Sequence, residues 1–266
     1  MTLAHREAGP RDGPVALLLH GFPESSYMWR DLMPALADAG WWAIAPDLAG
    51  FGDSEPDPPG TWERHVESVE RFRRELGIER CVPVVHDWGG LIGLRWACEN
   101  PDAVAALVIS GTGFFADGKW HDMAAALRSP KTGEQVIASI DRGGFADTLR
   151  AASPSFDDAA VDEYWKAFEG DVRRRGVLEL YRSGDFEKIS AYRLADLEVP
   201  VLLVWGEGDA YAPVASAHRF ERELPDTELV VVEDAGHFVF EDAPERCAEA
   251  VTGFLARIPT WSGSST

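Results

Sequence analysis

Residues 84–90, Val-Val-His-Asp-Trp-Gly-Gly, place an aspartate between an apolar run and a helix-like stretch. A strand that turns sharply into a helix presents the side chain at the turn on top of a sheet, and small neighbours leave room for the turn. The residue at that turn is Asp87, and a carboxylate nucleophile can attack carbon to form an alkyl-enzyme ester. An aspartate can also cap the helix that follows it. Asp87 is therefore a candidate nucleophile, with helix capping as the alternative.

A second turn motif, His20-Gly21-Phe22-Pro23, directly follows the first long apolar run. A backbone N–H at such a turn, together with the N–H of the residue after the nucleophile, can stabilise the oxyanion of a tetrahedral intermediate. This reasoning assigns the oxyanion hole to the N–H groups of Phe22 and Trp88. We interpret His20 as a buried turn residue, because histidines are often buried and hydrogen-bonded.

Two later apolar runs end in loops that carry an acid and a histidine, Asp209 and His237. The chain order nucleophile, acid, histidine suits a triad in which the histidine activates water and the acid holds the histidine in the productive tautomer. Glu207 and Asp234 compete with Asp209 for the role of the acid. Residues 110–112, after an earlier strand, offer no carboxylate.

The elements that must position these residues alternate along the chain. Short apolar runs of strand length are separated by longer segments of helix length, an alternation typical of β-α-β units around a mostly parallel sheet. The fold class is therefore α/β. The predicted strands are residues 15–19, 41–45, 81–85, 105–109, 199–205 and 229–232, and the predicted helices include 26–39, 63–76, 91–100 and 215–224.

The alternation stops between the fourth and fifth predicted strands, where the pattern becomes helical and rich in aromatic residues. A helical insertion at this place predicts a cap over the carboxyl ends of the strands, where open α/β sheets bind their ligands. We expect a core domain of residues 1–113 and 197–258, a helical cap of residues 114–196, and a flexible tail of residues 259–266.

The composition excludes several classes of partner. The formal net charge of −20 disfavours nucleic acid and anionic membranes as partners. No apolar run approaches the ~18 residues of a membrane span, and the first residues do not resemble a secretory signal. The three cysteines are far apart in sequence, which predicts reduced thiols rather than a disulfide scaffold or a metal site. We expect a cytoplasmic protein with no metal and no cofactor.

With these motifs the sequence resembles the α/β-hydrolase superfamily over nearly its whole length, and within it the branch with an aspartate nucleophile. Residues 20–25, His-Gly-Phe-Pro-Glu-Ser, resemble epoxide hydrolases. The longer motifs at residues 44–54, 86–94 and 235–239 resemble haloalkane dehalogenases. The second resemblance implies the α/β-hydrolase fold with a helical cap, Asp87 as nucleophile, Asp209 as acid and His237 as base.

The resemblance to the dehalogenases further implies that Trp88 donates its indole N–H to the departing halide. Those enzymes need a second halide-binding side chain, often an asparagine after the His-Gly turn, and this chain has Phe22 there. A tryptophan of the cap would have to serve instead. Trp120 is the preferred candidate, because Trp165 lies in an apolar helix-like stretch where core packing is the better interpretation.

Epoxide hydrolases use cap tyrosines whose phenols protonate the oxygen of the opening ring. Residues 178–182, Leu-Glu-Leu-Tyr-Arg, resemble one such site and make Tyr181 the candidate proton donor. The early cap contains no tyrosine for the usual first member of the pair, which leaves Tyr164 and Tyr192 as substitutes. Haloacetate dehalogenases share the His-Gly-Phe-Pro turn but place arginines after the nucleophile, where this chain has Trp88 and Gly89.

The sequence therefore predicts a cofactor-independent hydrolase that acts on a small, neutral, apolar substrate with water, as a monomer or a homodimer. The leading hypothesis is a haloalkane dehalogenase, and the alternative is an epoxide hydrolase with the same triad and Tyr181 as acid. A third hypothesis, a receptor that has lost turnover, is disfavoured because Asp87, Asp209 and His237 are all present.

Overall fold

The computed structural model describes residues 2–260 and is built on a seven-stranded sheet. The strand order is β1-β3-β2-β4-β5-β6-β7. All neighbouring strands run parallel except β1, which pairs antiparallel with β3. The strands are β1 (His5–Ala8), β2 (Val15–Leu19), β3 (Trp42–Pro46), β4 (Cys81–His86), β5 (Leu107–Ser110), β6 (Val201–Gly206) and β7 (Thr227–Val232).

All six predicted strands are present, with ends shifted by at most two residues. β2 to β6 are buried along their whole length, as expected for strands covered by helices on both faces. The sequence analysis missed β1, because its residues His5 to Ala8 are mostly polar and exposed and lack an apolar run. β1 lies at one edge of the sheet and, among the described strands, pairs with β3 alone.

Eleven α-helices occur among residues 2–260. They are α1 (Leu32–Asp38), α2 (Trp62–Glu75), α3 (Trp88–Glu99), α4 (Asp122–Arg128), α5 (Thr132–Ser139), α6 (Arg142–Ala152), α7 (Asp158–Trp165), α8 (Gly170–Ser183), α9 (Val214–Glu223), α10 (Val239–Asp242) and α11 (Pro244–Leu255). The single helix predicted at 26–39 is wrong: a short 3-10 helix, Ser26–Trp29, precedes α1. Pro34 explains the break, because a proline fits the first turn of α1 but not the interior of a longer helix.

Helices α4 to α8 lie between β5 and β6, in the segment predicted as a helical cap. Within residues 2–260, no helix is both long and apolar enough to cross a membrane. Of the predicted tail at 259–266, residues 261–266 lie outside the described part of the chain.

The sheet brings the candidate residues to one edge. β2, β4, β6 and β7 run parallel, so their carboxyl ends lie at the same edge of the sheet. The His-Gly turn follows β2, Asp87 follows β4, Asp209 follows β6 and His237 follows β7. Four segments that are distant in sequence therefore converge, as ligand sites of open α/β sheets require.

Candidate active site

Asp87 lies on a sharp turn between β4 and α3, with φ 48° and ψ −119°. A non-glycine residue in this conformation is strained by about 1 to 3 kcal/mol, and the surrounding structure must hold it there. Two glycines make the turn possible. A Cβ on Gly89 would lie 2.1 Å from the Leu19 carbonyl oxygen, and a Cβ on Gly21 would lie 2.5 Å from the Cβ of Asp87. The Thr112 hydroxyl donates to the Asp87 carbonyl at 2.8 Å.

The Asp87 carboxylate has one oxygen held and one oxygen available. The Phe22 N–H donates to Oδ1 at 2.8 Å, while Oδ2 lies 3.6 Å from the Nε2 of His237. Burial alone would raise the pKa of the carboxyl, but the hydrogen bonding and positive charge of His237, together with the N–H of Phe22, outweigh burial and lower that pKa. The group is therefore a carboxylate at neutral pH, the form that a nucleophile needs.

His237 is oriented by Asp209. The Nδ1 of His237 lies 3.0 Å and 2.9 Å from the two oxygens of Asp209, so this nitrogen carries a proton and donates to the carboxylate. The backbone N–H groups of Tyr211 and Ala212 also donate to Asp209 Oδ1, at 2.9 Å and 2.8 Å. Of the three carboxylates left open by the sequence, Asp209 is the one at His237.

The other two carboxylates, Glu207 and Asp234, are both exposed. Asp209 is 6% exposed and His237 is also 6% exposed. Burial would lower the pKa of His237, but the hydrogen bonds and charges of Asp209 and Asp87 outweigh burial and raise it to about 10. In the free protein His237 is therefore an imidazolium between two carboxylates.

A cavity of about 390 Å³ lies between this edge of the sheet and the cap helices. Asp87 and His237 line it, together with apolar side chains of the turn after β2 and of the cap. These apolar residues include Phe22, Leu127, Ile140, Phe145, Leu149 and Phe168. Asp87 and His237 therefore face a mostly apolar space, in which a small neutral molecule can be desolvated.

Trp88 and Trp120 contact each other, and neither is one of the described residues that line this cavity. Their rings stack with centroids 5.5 Å apart and 23° between the planes. The Arg128 guanidinium lies over the Trp120 ring, 4.7 Å from its centroid. A Cβ on Gly184 would lie 2.6 Å from the Trp88 ring, so a glycine is needed where the chain passes the two indoles.

Tyr181, by contrast, lines the cavity together with Asp87. Its ring meets Trp88 edge to face with centroids 5.2 Å apart. Burial and the charge of Asp87 raise the pKa of Tyr181 well above its usual value, while interaction with the Trp88 indole N–H acts in the opposite direction. The side chain is therefore a protonated phenol whose hydroxyl is next to the predicted halide donor.

The remaining sequence candidates are engaged elsewhere. The Tyr164 hydroxyl donates to the buried Glu241, and the Tyr192 hydroxyl donates to Glu99 at 3.0 Å. The Trp165 ring stacks on Phe168, with centroids 5.6 Å apart. These three side chains belong to the packing of the cap and its borders rather than to the residues around Asp87.

Comparison with known proteins gives a consistent assignment. The sequence model of the alpha/beta hydrolase fold family matches residues 14–244. The chain belongs to the α/β-hydrolase family. It is 33% identical to haloalkane dehalogenase 2 of Mycobacterium bovis, over 90% of this chain and 87% of the relative. It is 29% identical to a cis-3-alkyl-4-alkyloxetan-2-one decarboxylase of Xanthomonas campestris, over 97% of this chain and 94% of the relative.

Solved structures agree with these sequence relationships. The crystal structure of a haloalkane dehalogenase from Bradyrhizobium elkani aligns with a TM-score of 0.83 and 27% identity, covering 96% of this chain and 94% of that chain. The protein is thus an α/β-hydrolase that is similar to haloalkane dehalogenases, as the sequence motifs indicated.

Two further residues of this α/β-hydrolase line the cavity and were not found from the sequence, His121 and Tyr211. The Nδ1 of His121 accepts from the N–H of Ala124 at 3.4 Å and caps α4, so the neutral ring carries its proton on Nε2. Burial lowers the pKa of His121, against the charge of Asp87. The Tyr211 ring contacts both His121 and His237, with centroids 5.2 Å and 5.0 Å away.

Tyr211 follows Asp209 by two residues, and His121 directly follows Trp120. Proximity in sequence to two named candidates was the available signal for both. His20 has the structural role expected for it: its Nε2 accepts from the N–H of Leu48 at 2.9 Å, so its Nδ1 donates to the Gly21 carbonyl at 2.8 Å.

Proposed function

We propose that this α/β-hydrolase is a haloalkane dehalogenase that works through a covalent ester on Asp87. The observation that carries the proposal is that the two carboxylate oxygens of Asp87 have different surroundings. Oδ1 accepts from the Phe22 N–H, and Oδ2 is directed to the side of the cavity that His237 lines. A serine or cysteine at this turn would serve acyl transfer, whereas a carboxylate there serves attack on an alkyl carbon.

In the first step Asp87 Oδ2 attacks the carbon that bears the halogen. A carbon–oxygen bond forms, the carbon–halogen bond breaks and the halide leaves with the bonding electron pair. The leaving anion needs N–H or O–H donors in a site that excludes water. We assign this role to the Trp88 indole, supported by Trp120, at the side of the cavity where the Tyr181 hydroxyl interacts with Trp88.

In the second step water hydrolyses the ester. Because the ester carries no charge, His237 first loses its Nε2 proton to solvent. The neutral ring then takes a proton from water through Nε2 as the water oxygen attacks the carbonyl carbon of the Asp87 ester. The negative charge develops on Oδ1. The backbone N–H of Phe22 already donates to this oxygen, and we assign the backbone N–H of Trp88 as the second donor. Asp209 stabilises the imidazolium formed in this step. The bond from the carbonyl carbon to Oδ2 then breaks, His237 gives its Nε2 proton to Oδ2, and the alcohol leaves with that oxygen while the oxygen of water remains in the Asp87 carboxylate.

The substrate class follows from the walls and the charge of the molecule. The lining is largely apolar and accommodates a neutral alkyl chain. The net charge of −20 disfavours anionic substrates such as haloacids. The substrate of this proposal is therefore a neutral haloalkane, with water as the second reactant and no cofactor.

One observation favours a second candidate, an epoxide hydrolase with the same triad. Tyr181 lines the cavity with Asp87, while the two tryptophans do not. A phenol can give its proton to the alkoxide of an opening epoxide, which an indole N–H cannot do. The Nε2–H of His121, which also lines the cavity, is a second donor available to that oxygen.

The test is a substrate panel with two variants. Haloalkanes, epoxides, a dialkyl oxetan-2-one and activated esters are incubated with the protein, and halide, diol and carbon dioxide are measured. Trp88→Phe removes one donor and should slow dehalogenation by one to two orders of magnitude, or about 1.4 to 2.7 kcal/mol. Tyr181→Phe should change dehalogenation by less than about threefold, because its phenol proton is not consumed.

The opposite pattern would replace the leading proposal with the second. If Tyr181→Phe abolishes diol formation while Trp88→Phe leaves it unchanged, the protein is an epoxide hydrolase. Tight binding of a panel member with neither halide, diol nor carbon dioxide produced would contradict both candidates and support a receptor.

A further inference from the structure

Glu24 is a buried acid that the proposed reaction does not use. It is fully buried, with 0% exposure, and it belongs to the His-Gly-Phe-Pro-Glu motif that supplies the Phe22 N–H. Neither of its carboxyl oxygens has a partner in hydrogen-bond geometry among the residues that the structure describes. A buried carboxyl without partners is unfavourable even when it is neutral, unless a water supplies the missing hydrogen bonds.

His86 lies against Glu24 and against the catalytic histidine. Its Nε2 is 3.4 Å from Glu24 Oε2, and its ring centroid is 4.8 Å from that of His237. His86 is fully buried, and within residues 2–260 neither ring nitrogen has a hydrogen-bond partner. A Cβ on Gly111 would lie 2.6 Å from the His86 ring, so a glycine at 111 allows the ring to occupy this place.

Ser110 adds a third polar group. It pairs in register with His86 on the neighbouring parallel strand, so the two side chains point to the same face of the sheet. Its hydroxyl is buried and also lacks a partner among the described residues. Glu24, His86 and Ser110 do not line the substrate cavity, so the polar cluster that they form lies outside it.

The cluster is neutral. Burial raises the pKa of Glu24 well above its usual value, and the charge of Glu241 adds to that effect. Burial lowers the pKa of His86 to about 3. The Arg30 guanidinium donates a hydrogen bond to Glu241 at 2.6 Å, so Arg30 does not neutralise Glu24. A neutral acid, a neutral imidazole and a hydroxyl offer both donors and acceptors, which is the environment that a buried water requires.

We propose that Glu24, His86 and Ser110 bind an internal water molecule behind His237, and that this cluster positions the His237 ring for hydrolysis of the ester. The water bridges Glu24 and His86 by hydrogen bonds, and His86 in turn forms the wall on which His237 packs. These residues are positioning residues, since they contact neither the substrate nor the reacting atoms.

The first test is crystallographic and does not depend on any activity. A high-resolution structure of the protein should show a water within hydrogen-bond distance of Glu24 and of His86 or Ser110. Glu24→Gln keeps a neutral group that can donate and accept, and should retain the water. Glu24→Leu should lose the water and change the His237 ring orientation. A wild-type structure with no water there, or an unchanged His237 ring in Glu24→Leu, would overturn the proposal.

The second test is kinetic and rests on the proposed function. Glu24→Leu and His86→Phe should slow decay of the alkyl-enzyme by about tenfold, a small part of what a general base contributes, and change its formation by less than about twofold. Glu24→Gln should decay at the wild-type rate. His65→Phe is the matched control, because His65 is also buried but its ring packs on Phe51.

The two proposals fail in different ways. If the wild-type protein forms no covalent intermediate, the proposed function is wrong and the two structures still decide the water site and the His237 orientation. If the intermediate forms but Glu24→Leu slows formation and decay equally, or neither of them, the positioning role is wrong and the proposed function stands.

Discussion

The carboxyl edge of the sheet and the helical cap contribute to the site in different ways. At the sheet edge the functional side chains are fixed by directed hydrogen bonds: Asp209 accepts from two backbone N–H groups and from His237, and Asp87 accepts from Phe22. Where the cap meets the core, Trp88 of α3 and Trp120 and Tyr181 of the cap are held mainly by ring contacts with centroids 5.2 to 6.3 Å apart.

This difference separates the two parts of the reaction. Hydrogen bonds specify distance and direction, so in the proposed reaction one arrangement of the triad would serve both the attack on carbon and the hydrolysis. Ring packing is largely non-directional, so the cap can exchange one aromatic donor for another while the cavity remains. In the proposed reaction the triad therefore defines the kind of intermediate, and the aromatic group of Trp88, at the start of α3, with Trp120 and Tyr181 of the cap defines which leaving group is accepted.

The largest expected effect comes from the nucleophile. Asp87→Ala should lower turnover by a factor on the order of 10⁴ or more, as removal of a nucleophile does in other hydrolases. Asp87→Gly should be equally inactive but more stable than Asp87→Ala by about 1 kcal/mol, because glycine adopts φ 48° without strain. Turnover and thermal unfolding of the two variants check this. Residual activity in Asp87→Ala would assign the chemistry to another residue.

The next effect separates the two steps at the sheet edge. His237→Gln should lower turnover by about 10³-fold and leave alkylation nearly unchanged, because only hydrolysis needs activated water. Intact mass after incubation with a haloalkane should therefore rise by the mass of the alkyl group. His218→Gln, which changes an exposed histidine, is the control and should show no accumulated adduct. An inactive His237→Gln without adduct would place His237 before the covalent step.

The pH dependence should also differ between the steps. Both Asp209 and Asp87 hold the pKa of His237 at about 10 in the free protein. Alkylation converts Asp87 into a neutral ester, so one negative partner is lost and the pKa of His237 falls. Hydrolysis needs the neutral ring, so its rate should rise about tenfold per pH unit up to that lower pKa and then level off.

The rate of alkylation should depend on pH only in acid solution, unlike the rate of hydrolysis. Alkylation needs the Asp87 carboxylate, whose pKa is below its usual value, so its rate should stay constant from about pH 9 down to about pH 5 and fall only in more acid solution. The alkylated fraction at steady state should therefore increase as the pH falls. Rapid quenching followed by mass spectrometry measures it. Parallel loss of both rates on acidification would contradict this assignment of charges.

The smallest effect concerns the aromatic donors. Gly184→Ala places a Cβ 2.6 Å from the Trp88 ring and 3.1 Å from that of Trp120, and such overpacking costs about 1 to 3 kcal/mol of stability. Alkylation should slow more than hydrolysis does. Gly176→Ala is the matched control: its Cβ meets no atom within 4 Å in α8, so the variant should be neutral or gain up to about 1 kcal/mol. Equal losses in both variants would remove the argument for the stack.

The same difference explains what the sequence could predict. Strands, their alternation with helices and the turn residues at strand ends are local signals, so the sheet and the positions of Asp87, Asp209 and His237 followed from them. The choice among Glu207, Asp209 and Asp234 needed the fold, because all three lie in loops after strands. β1 was not predicted, because an edge strand with polar residues has no apolar pattern.

The cap was harder to predict, because an aromatic residue in an amphipathic helix has the same pattern whether it packs in a core or faces a cavity. The sequence therefore only favoured Trp120 over Trp165 as the second halide-binding residue, and His121 was missed although it lines the cavity. The Glu24–His86 contact joins residues 62 positions apart through the sheet, and no spacing in the sequence indicates it.

The central claim is that Asp87 is alkylated and that water attacks its carbonyl carbon. A single turnover in water enriched in heavy oxygen, with protein in excess over haloalkane, tests it directly. We expect the label in the peptide containing Asp87 and ordinary oxygen in the first alcohol. Label in the first alcohol, with an unlabelled Asp87 peptide, would show that water attacks the substrate carbon directly and that no ester forms on Asp87.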